Sequence, residues 1–421
     1  MSLSRYRQDR ERFFAHLGGR YLGAVPDPWE LLAVHAVDDA EVGAIVEAAA
    51  AIGRLYRRVS DLLATCGDDV HRQLGLPPAL LRSMRPRVPG LADVVFGRLD
   101  LVRTPRSYKL LEFNADVPGM IVETFEINRL ACEAAGERDV NEGRESILAR
   151  GLEAAIDSSL NHLGVARDRR SAQVAFAARR VFPGDTDLAR CLAGQVRLPE
   201  GIAKGVYALE ELRADDEGLY DGRGTRIDVL VRVFPLSAFP HARLAVAGLP
   251  DRSTWMRGLD LVERRRLALI NPPSAGLLNS KAVQVVIWNL HRSGAFFDAA
   301  EHALIERHTL PTYLDPVFGD RPHVVKPAYG RSGDTVRVVN AGEPPTPCAG
   351  TSYTHQPMVY QEYAPLPRLR CMTEQGPRDL RVVASCFVAN WEPAGVCFRA
   401  GGLVTDESAW YLPVCAAKRQ A

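Results

Sequence analysis

The sequence predicts a mixed α and β fold, and three stretches carry that prediction. Residues 98–116 contain two runs of alternating polar and apolar residues around a turn-like segment at 104–107, which is typical of a hairpin with one buried face. Residues 42–63 place apolar side chains at helical spacing. From residue 173 onward, short apolar runs alternate with helical segments, which indicates a small α/β unit.

The composition describes a large and nearly neutral chain. Its 421 residues are enough to bury a sizeable core and predict two or three subdomains. The formal net charge is +1, so the composition favours neither nucleic acid nor an acidic membrane as a partner. The first residues lack the apolar stretch of a signal peptide, and no run approaches the roughly 20 apolar residues of a membrane span. We therefore expect a cytoplasmic protein, whose eight cysteines form no CxxC pair that would favour zinc.

The first 90 residues are predicted to be mainly helical, with breaks where prolines cluster at 26–28 and 77–78. The hairpin at 98–116 follows. Because side chains alternate along a strand, Arg98 and Asp100 share one face of the first strand. The second strand has three polar residues on one face, and the apolar residues of both strands lie on the other. The polar three are Glu112, Asn114 and Asp116, and the apolar set is Leu99, Leu101, Leu111, Phe113 and Ala115.

The polar face of this hairpin is a candidate metal site. If the two strands pair in phase, Asp100 lies opposite Glu112 and Arg98 lies opposite Asn114. Like charges on opposed strands repel, so this pair suggests a cation between them. Two carboxylates and an amide are oxygen ligands that suit Mg²⁺. The alternative interpretation is an ordinary hairpin with a solvated face.

The middle of the chain is predicted to alternate helices and strands. Its first helix carries Glu123, Glu126 and Glu133, which could be solvated surface or substrate contacts, and a surface position is favoured for most of them. The expected order is a helix, a strand, a helix, a strand and a hairpin that leads into a strongly apolar strand. These elements are assigned to 121–135, 174–178, 187–194, 205–209 and 227–234, with Asp221-Gly222 at the turn of the hairpin.

Lysine is rare in this chain, since only five of the 52 basic residues are lysines. A retained lysine suggests a need for a compact ammonium charge, although chance is the alternative. Lys281 falls in the first turn of a helix that Asn279 or Ser280 would cap and that runs to about residue 292. A cation at a helix N-terminus is slightly unfavourable, so an anionic ligand beside it is one explanation and a plain surface lysine is the other.

The second lysine of interest, Lys326, ends a predicted strand. A loop containing Gly330 and Gly333 follows, and then a strand at 335–339. No GxxxxGK[ST] run is present, so this is not a P-loop. A glycine loop between two strands is typical of a flap whose backbone amides approach nucleotide phosphates, whereas the glycines alone would fit a plain hairpin loop.

The C-terminal part is predicted to contain strands at 358–363, 381–387 and 395–399, the latter two as further strands of one antiparallel sheet, with Arg399 at the end of an otherwise apolar strand. A hydrolase triad finds no support, because the chain has no GxSxG and no cysteine in a distinctive setting.

Together these motifs resemble the synthetase module of the glutathionylspermidine synthase family, which are ATP-grasp carboxylate–amine ligases. Seven segments carry the resemblance in family order. They are RLD at 98–100, LLEFNAD at 110–116, IDVLVRVFP at 227–235, NPPSAGLLNSKA at 271–282, VVKPAYGRSGD at 324–334, VYQEYAPLP at 359–367 and AGVCFR at 394–399. The resemblance implies an ATP-grasp fold permuted as in this family, with the metal-binding segment ahead of the ATP lysines, with antiparallel sheets and a pre-ATP-grasp α/β subdomain.

The resemblance also implies a division of the chain. A helical region at 1–90 precedes the metal-binding hairpin and helices at 91–165. A pre-ATP-grasp-like subdomain at 166–270 and an ATP-binding lid with the C-terminal sheet at 271–421 complete it.

The implied cofactors are ATP and Mg²⁺. By resemblance, Asp100, Glu112 and Asn114 match the metal ligands, Lys281 and Lys326 match the lysines that hold ATP phosphates, and Arg98 and Arg399 match arginines near the transferring phosphate and the acid. The flap matches Gly330, Arg331, Ser332 and Gly333, and the adenine hinge matches Gln361, Glu362 and Tyr363.

The implied activity joins a small-molecule or peptide carboxylic acid to an amine through an acyl phosphate, with release of ADP and phosphate. The alternatives are a small-molecule kinase, a ligase that joins the acid to a thiol on a carrier protein, and a non-catalytic ATP-binding protein. We expect no nucleic acid or membrane partner, and a homodimer.

Overall fold

The computed structural model describes residues 2–17, 21, 29–85, 87–165, 172–238, 252–339 and 350–418. It confirms a mixed α and β architecture, with both parallel and antiparallel sheets.

Ten α-helices lie in the described ranges. They are α1 (Leu3–Leu17), α2 (Asp39–Thr65), α3 (Asp68–Gln73), α4 (Asn128–Ala135), α5 (Glu145–His162), α6 (Pro183–Gln195), α7 (Arg252–Glu263), α8 (Ala275–Leu278), α9 (Ala282–Ser293) and α10 (Ala299–His308). A π-helical turn, Glu123–Ile127, leads directly into α4.

Nineteen strands lie in the same part of the chain. They are β1 (His35–Val37), β2 (Phe96–Arg103), β3 (Tyr108–Asn114), β4 (Gln173–Ala178), β5 (Ala203–Ala208), β6 (Arg213–Ala214), β7 (Leu219–Tyr220), β8 (Arg226–Ile227), β9 (Val229–Val233), β10 (Ala268–Ile270), β11 (Thr312–Tyr313), β12 (His323–Pro327), β13 (Arg337–Val339), β14 (Met358–Glu362), β15 (Arg368–Thr373), β16 (Gly376–Ala389), β17 (Glu392–Gly401), β18 (Trp410–Leu412) and β19 (Val414–Ala416).

The largest sheet is antiparallel and combines strands from both ends of the chain. Its order is β18-β17-β16-β2-β3, with β15 also paired to β16. The hairpin β2-β3 therefore docks onto the C-terminal strands, because β2 pairs with β16 from Leu101↔Ala384 to Phe96↔Ala389. This pairing brings residues near 100 beside residues near 385 and 399.

The register of the hairpin is the predicted one at its polar face. Asp100 pairs with Glu112 and Arg98 pairs with Asn114. A bulge follows, so that Leu101 pairs with Leu110 and Leu111 is the extra residue. The prediction that Leu111 joins the buried face was wrong: Leu110 lies in the core, whereas Leu111 lines a cleft.

A second sheet is fully parallel, in the order β10-β9-β4-β5. Parallel sheets need apolar residues on both faces, because helices or other layers cover both. Strand β4 fits this requirement: Val174 and Phe176 enter one core cluster, and Ala175 and Ala177 enter the other.

A third sheet, in the order β11-β14-β12-β13, carries the glycine loop between β12 and β13. The strand predicted at 358–363 is β14 in this sheet, whereas those predicted at 381–387 and 395–399 fall within β16 and β17. The C-terminal strands thus divide between two sheets rather than one.

The parallel sheet is joined to the hairpin by buried polar contacts. The Asn271 side chain, just after β10, accepts hydrogen bonds from the backbone nitrogens of Val95 (2.8 Å) and Phe96 (3.0 Å). Its amide donates to the carbonyl oxygens of Phe96, Ala115 and Asp116. Asp116 in turn forms a buried ion pair with Arg232. Asp116 therefore supports the fold and does not face the cleft with Glu112.

Candidate active site

The floor of the site is one face of the large sheet. Asp100 on β2 pairs directly with Ser385 on β16, and Arg399 on β17 pairs with Val383 two residues along β16. Because residues two apart share a face, these side chains point the same way as the polar residues of the hairpin. A cleft lies above this face, and its lining includes Asp100, Glu112, Lys326 and Arg399.

Asp100 is the most heavily hydrogen-bonded group on this floor. Arg98 donates to both of its oxygens, from Nε at 2.7 Å and from Nη2 at 3.1 Å. The Ser385 hydroxyl donates at 2.7 Å and the Asn114 amide at 3.0 Å. The remaining Nη1 of Arg98 donates to the carbonyl of Gly119 at 2.9 Å. Arg98 is thereby held in a bidentate geometry next to the predicted metal ligands.

The two predicted phosphate lysines converge on Glu112. Lys281 Nζ lies 3.1 Å from Glu112 Oε2 and also donates to the Gly330 carbonyl at 2.9 Å. Lys326 Nζ donates to the carbonyl of Leu111 at 3.2 Å, which the bulge leaves available. Lys281 comes from the start of α9 and Lys326 from β12, so three parts of the chain meet here.

Glu112 interacts electrostatically with Lys281 and Lys326. Burial would raise the pKa of Glu112, but the charges of Lys281 and Lys326 lower that pKa to about 2. Burial lowers the pKa of Lys326 to about 8, against the opposing attraction of Glu112. Glu112 therefore stays ionised throughout the neutral range. Lys326 is a cation held in a dry setting, where its attraction for a phosphate is strong.

Of the two residues predicted to cap the helix at Lys281, Ser280 bonds to its first turn and Asn279 does not. Helix α9 begins at Ala282 with Lys281 itself at the N-cap. The Ser280 hydroxyl accepts a hydrogen bond from the Ala282 nitrogen at 3.2 Å, whereas Asn279 accepts from the nitrogen of Ala115 at 3.0 Å. Asn279 thus holds the end of the hairpin and not the helix.

The predicted hinge residues occupy one wall of the cleft, where Gln361, Glu362 and Tyr363 lie beside apolar residues of β12, β13 and β16. The Gln361 side chain is buried and used internally. Its oxygen accepts from Lys326 Nζ at 2.7 Å and its nitrogen donates to Gln284 Oε1 at 2.8 Å. Gln361 therefore positions Lys326, while Glu362 and Tyr363 border the open cleft.

The predicted flap packs against a loop on the other side of the cleft. Gly333 has φ of +69° and lies beside Val404 and Asp406, while Ser332 also has a positive φ, of 56°. Arg331 Nη2 reaches the carbonyl of Val117 at 3.4 Å. The flap residues Gly330 to Gly333 thus contact both the lysine side and the far side of the cleft.

Arg399 lines the same cleft. Its Nη2 donates to the carbonyl of Asp406 at 2.6 Å, and its guanidinium lies 5.9 Å from the ring centroid of Trp29. Its buried Nε has no hydrogen-bond partner among the described residues. Burial and the charge of Arg98 lower the pKa of Arg399. Two arginines held close together, one with an unused donor, form an attractive site for an anion.

Sequence reasoning missed two groups that support the site. Ser385 binds Asp100, and its signal was a hydroxyl within an otherwise apolar strand. Gln284 donates to the Leu111 carbonyl at 3.1 Å, and its signal was its place one helical turn after Lys281. Neither signal distinguishes these residues from ordinary buried polar side chains without the fold.

The donor set fits an oxygen-seeking cation such as Mg²⁺. Glu112 is ionised and its side chain is 32% exposed, so it is open to an ion in the cleft. The four hydrogen bonds that Asp100 accepts occupy its lone pairs, so an ion would take the place of one of these donors. No group of three or more His, Cys, Asp or Glu residues in the described part of the chain could hold a metal ion. An ion here would therefore be completed by other oxygen ligands, such as the amide oxygen of Asn114, water or the substrate.

Comparisons with known proteins identify the family of the chain. The family described as glutathionylspermidine synthase preATP-grasp matches residues 2–417, which confirms the resemblance found in the motifs. A glutathione synthetase-like effector from Globodera pallida has a similar fold. It is 12% identical, with 97% of this chain and 96% of that chain covered and a TM-score of 0.60. A protein described as a gamma-glutamylcysteine synthetase from Methylobacillus flagellatus is 11% identical, with 86% and 85% covered and a TM-score of 0.42.

Among the described residues, no helix combines the length and apolar character that a membrane crossing requires.

Proposed function

The chain belongs to the glutathionylspermidine synthase preATP-grasp family, and from that premise we propose that it is an ATP-dependent carboxylate–amine ligase. It forms an amide bond through an acyl phosphate and releases ADP and phosphate. The observation that carries this proposal is that two carboxylates and two lysines lie together at a cleft with apolar walls. They are Asp100, Glu112, Lys281 and Lys326.

The fold proposed for this activity is the permuted ATP-grasp arrangement. Its support is the order of the elements: the hairpin with the metal ligands precedes the segments that carry both lysines, and the glycine loop lies between two antiparallel strands. The proposed division places the hairpin and its helices at 91–165, the parallel subdomain at 166–270 and the lid and C-terminal sheet at 271–421, after a region at 1–90.

In this proposal the nucleotide base lies between the apolar residues of β12, β13 and β16, against Glu362 and Tyr363. The phosphates extend toward Lys281 and Lys326. Asp100, Glu112 and Asn114 hold Mg²⁺, which when bound supplies positive charge to the phosphate oxygens. The lysines stabilise the charge that develops as the substrate carboxylate attacks the γ-phosphate.

Arg98 and Arg399 act on the acid substrate. A guanidinium binds a carboxylate with two parallel hydrogen bonds, and the unused Nε of Arg399 is available for this. After the acyl phosphate forms, the same charges stabilise the oxyanion when the amine attacks. The flap at Gly330 to Gly333 excludes water, which would otherwise hydrolyse the acyl phosphate.

The acids and amines for the first test are chosen after the compounds in the relatives' names, which are glutathione, glutamylcysteine and spermidine. The first test is ATP consumption with Mg²⁺ across a panel of amino acids, γ-glutamyl peptides and amines, with ADP, AMP and phosphate assayed separately. We expect ADP and phosphate only when an acid and an amine are both present.

The other outcomes separate the alternatives. ADP with a stable phosphorylated product from one substrate would establish a kinase, and ADP that requires a thiol in place of the amine would establish an acid–thiol ligase. AMP would overturn the acyl-phosphate mechanism. Nucleotide binding without turnover on the whole panel would favour a non-catalytic ATP-binding protein. Light scattering on the same sample tests the expected homodimer.

A further inference from the structure

Two glutamates outside the predicted site, Glu30 and Glu123, interact electrostatically with each other, and Glu123 also interacts with Arg98. Glu123 opens the π-helical turn that begins four residues after Gly119, the residue whose carbonyl Arg98 binds. Glu30 enters from the other end of the chain, where its backbone bridges to Tyr411 of β18. For Glu123 the sequence favoured a solvated surface position over a substrate contact, whereas the structure half-buries it, and Glu30 belongs to no motif of the sequence analysis.

Glu30 is buried, and the charge of Arg10 acts on its carboxyl group. Glu30 is 3% exposed, and its Oε2 has no hydrogen-bond partner among the described residues. Arg10 binds the backbone carbonyl of Glu30, at 3.0 and 3.2 Å. A buried carboxyl oxygen without a donor is costly, so its retention at this place needs a reason.

Glu123 connects this buried group to the cleft. It is half-buried, and the Trp29 side chain hydrogen-bonds to it. The ring of Trp29 lies under the guanidinium of Arg399, which lines the cleft. The side chain of Trp29 therefore lies between Glu123 and Arg399, beside which the acid substrate is proposed to bind. Glu123 forms no ion pair within 4.0 Å with another described residue.

The surroundings of Glu123 are suited to a proton acceptor. Burial and, to a smaller extent, the charge of Asp187 on α6 raise the pKa of Glu123 to about 7, against the pull of Arg98. Burial and the charge of Glu123 raise the pKa of Glu30 to about 8. Glu126, one turn along, also faces this side of the molecule, where Arg129 and Tyr21 contact it. Glu123 thus contacts Trp29 and interacts with the acidic groups Glu30 and Asp187 as well as with Arg98.

On the basis of the proposed ligase function, we infer that Glu123 takes the proton from the attacking amine. Glu30 is its buried neighbour. The amine enters as an ammonium ion, which the carboxylates attract and the cleft cations repel. The ammonium gives one proton to Glu123 and so frees its lone pair, and the nitrogen bonds to the acyl carbon. The carbon–oxygen bond to phosphate breaks, phosphate leaves with the electron pair and accepts the second proton, and Glu123 later releases the first proton to solvent.

The test compares two nucleophiles in Glu123→Gln. Hydroxylamine is largely uncharged at neutral pH and traps acyl phosphates as hydroxamates without help from a base. We expect Glu123→Gln to form hydroxamate from the acid substrate within about twofold of wild type. With an alkylamine, kcat at pH 7 should fall by about 10²-fold or more, and the loss should shrink as the pH rises and the amine loses its proton in solution. Glu133→Gln is the matched control, because Glu133 is exposed and pairs only with Arg129 among the described residues.

The outcomes are separable. Loss of hydroxamate and amide in equal measure, at every pH, would show a structural role for Glu123 and overturn the inference. An unchanged rate with the alkylamine would overturn it as well. If wild type itself forms no hydroxamate with any acid of the panel, the ligase proposal fails and the inference fails with it. The thermal unfolding of both variants checks that each is folded.

Discussion

Glu112 and Lys326 are the single residues on which the proposed chemistry depends most. Each alters the pKa of the other, and both face the cleft. We expect Lys326→Ala and Glu112→Ala each to lower ATP turnover by about 10²-fold or more, because each removes charge stabilisation from the transferring phosphate. The measurement is ADP release, with Lys418→Ala as the control, since Lys418 is exposed and distant in sequence from every site residue.

These two variants should keep the stability of wild type within a few kcal/mol, and far-ultraviolet circular dichroism should be unchanged. Turnover at the wild-type rate in either variant would contradict the assigned site. A variant that unfolds would be replaced by Lys326→Met or Glu112→Gln, which retain the volume of the side chain.

Glu30 is expected to make stability depend on pH. Its pKa in the folded protein is raised from 4.5 to about 8, so its protonated form stabilises the fold. That stability is fully present below about pH 4.5 and is lost as the pH rises through about 8. The contribution is on the order of 3 kcal/mol between pH 5 and pH 9.

Denaturant unfolding at several pH values measures this effect. Glu30→Gln, which cannot ionise, should flatten the decline, so that the variant is more stable than wild type at pH 9. Glu133→Gln should follow the wild-type profile. A Glu30→Gln profile parallel to that of wild type would show that Glu30 is not the titrating group.

At the scale of elements, the flap between β12 and β13 depends on glycine at one position. Gly333 has a positive φ, and a Cβ there would lie 3.0 Å from Val404 Cγ1. We expect Gly333→Ala to raise KM for ATP or lower kcat by about 10-fold, because the flap could no longer close against the 402–409 loop. Gly184→Ala is the control, since a Cβ at that helical position meets no atom within 4 Å.

The stability of Gly333→Ala should remain close to that of wild type, because the change lies in a half-exposed loop. Steady-state kinetics of Gly333→Ala and of the control Gly184→Ala test the expected change in KM or kcat. Unchanged kinetics in Gly333→Ala would remove the flap from the proposed mechanism.

At the scale of the whole molecule, Asn271 joins the parallel sheet to the large antiparallel sheet. Its side chain makes five hydrogen bonds to backbone groups at the ends of the hairpin. Asn271→Ala should lower the free energy of unfolding by about 3 kcal/mol or more, because it leaves buried donors and acceptors without partners. Chemical denaturation measures the loss, and Asn161→Ala, on an exposed helical face, should cost less than about 1 kcal/mol.

A loss below about 1 kcal/mol in Asn271→Ala would mean that water or a shift of the chain replaces these hydrogen bonds. The two sheets would then be less tightly joined than the contacts indicate. A single unfolding transition in both variants would show that the sheets still unfold as one unit.

The hairpin and the glycine loop could be predicted from local patterns. Alternation along β2 and β3 predicted the Asp100–Glu112 pair for strands in phase, and the structure confirms that pair, although the bulge at Leu111 gives the turn side of the hairpin a different register. The motif around Lys326 likewise predicted a strand, a glycine loop and a second strand in the order observed. These features depend on residues near one another in the chain, where side-chain periodicity and turn chemistry act directly.

Contacts between residues far apart in the chain could not be predicted from these patterns. The bulge that turns Leu111 out of the core leaves a carbonyl that Lys326 and Gln284 bind from more than 170 residues away in the chain. The same is true of Ser385 on Asp100 and of Glu30 near Glu123. Such contacts follow from how strands from the two ends of the chain share one sheet. Local periodicity does not predict which distant strands pair. The free energy that determines this pairing comes from burial and hydrogen bonding between segments that share no sequence pattern.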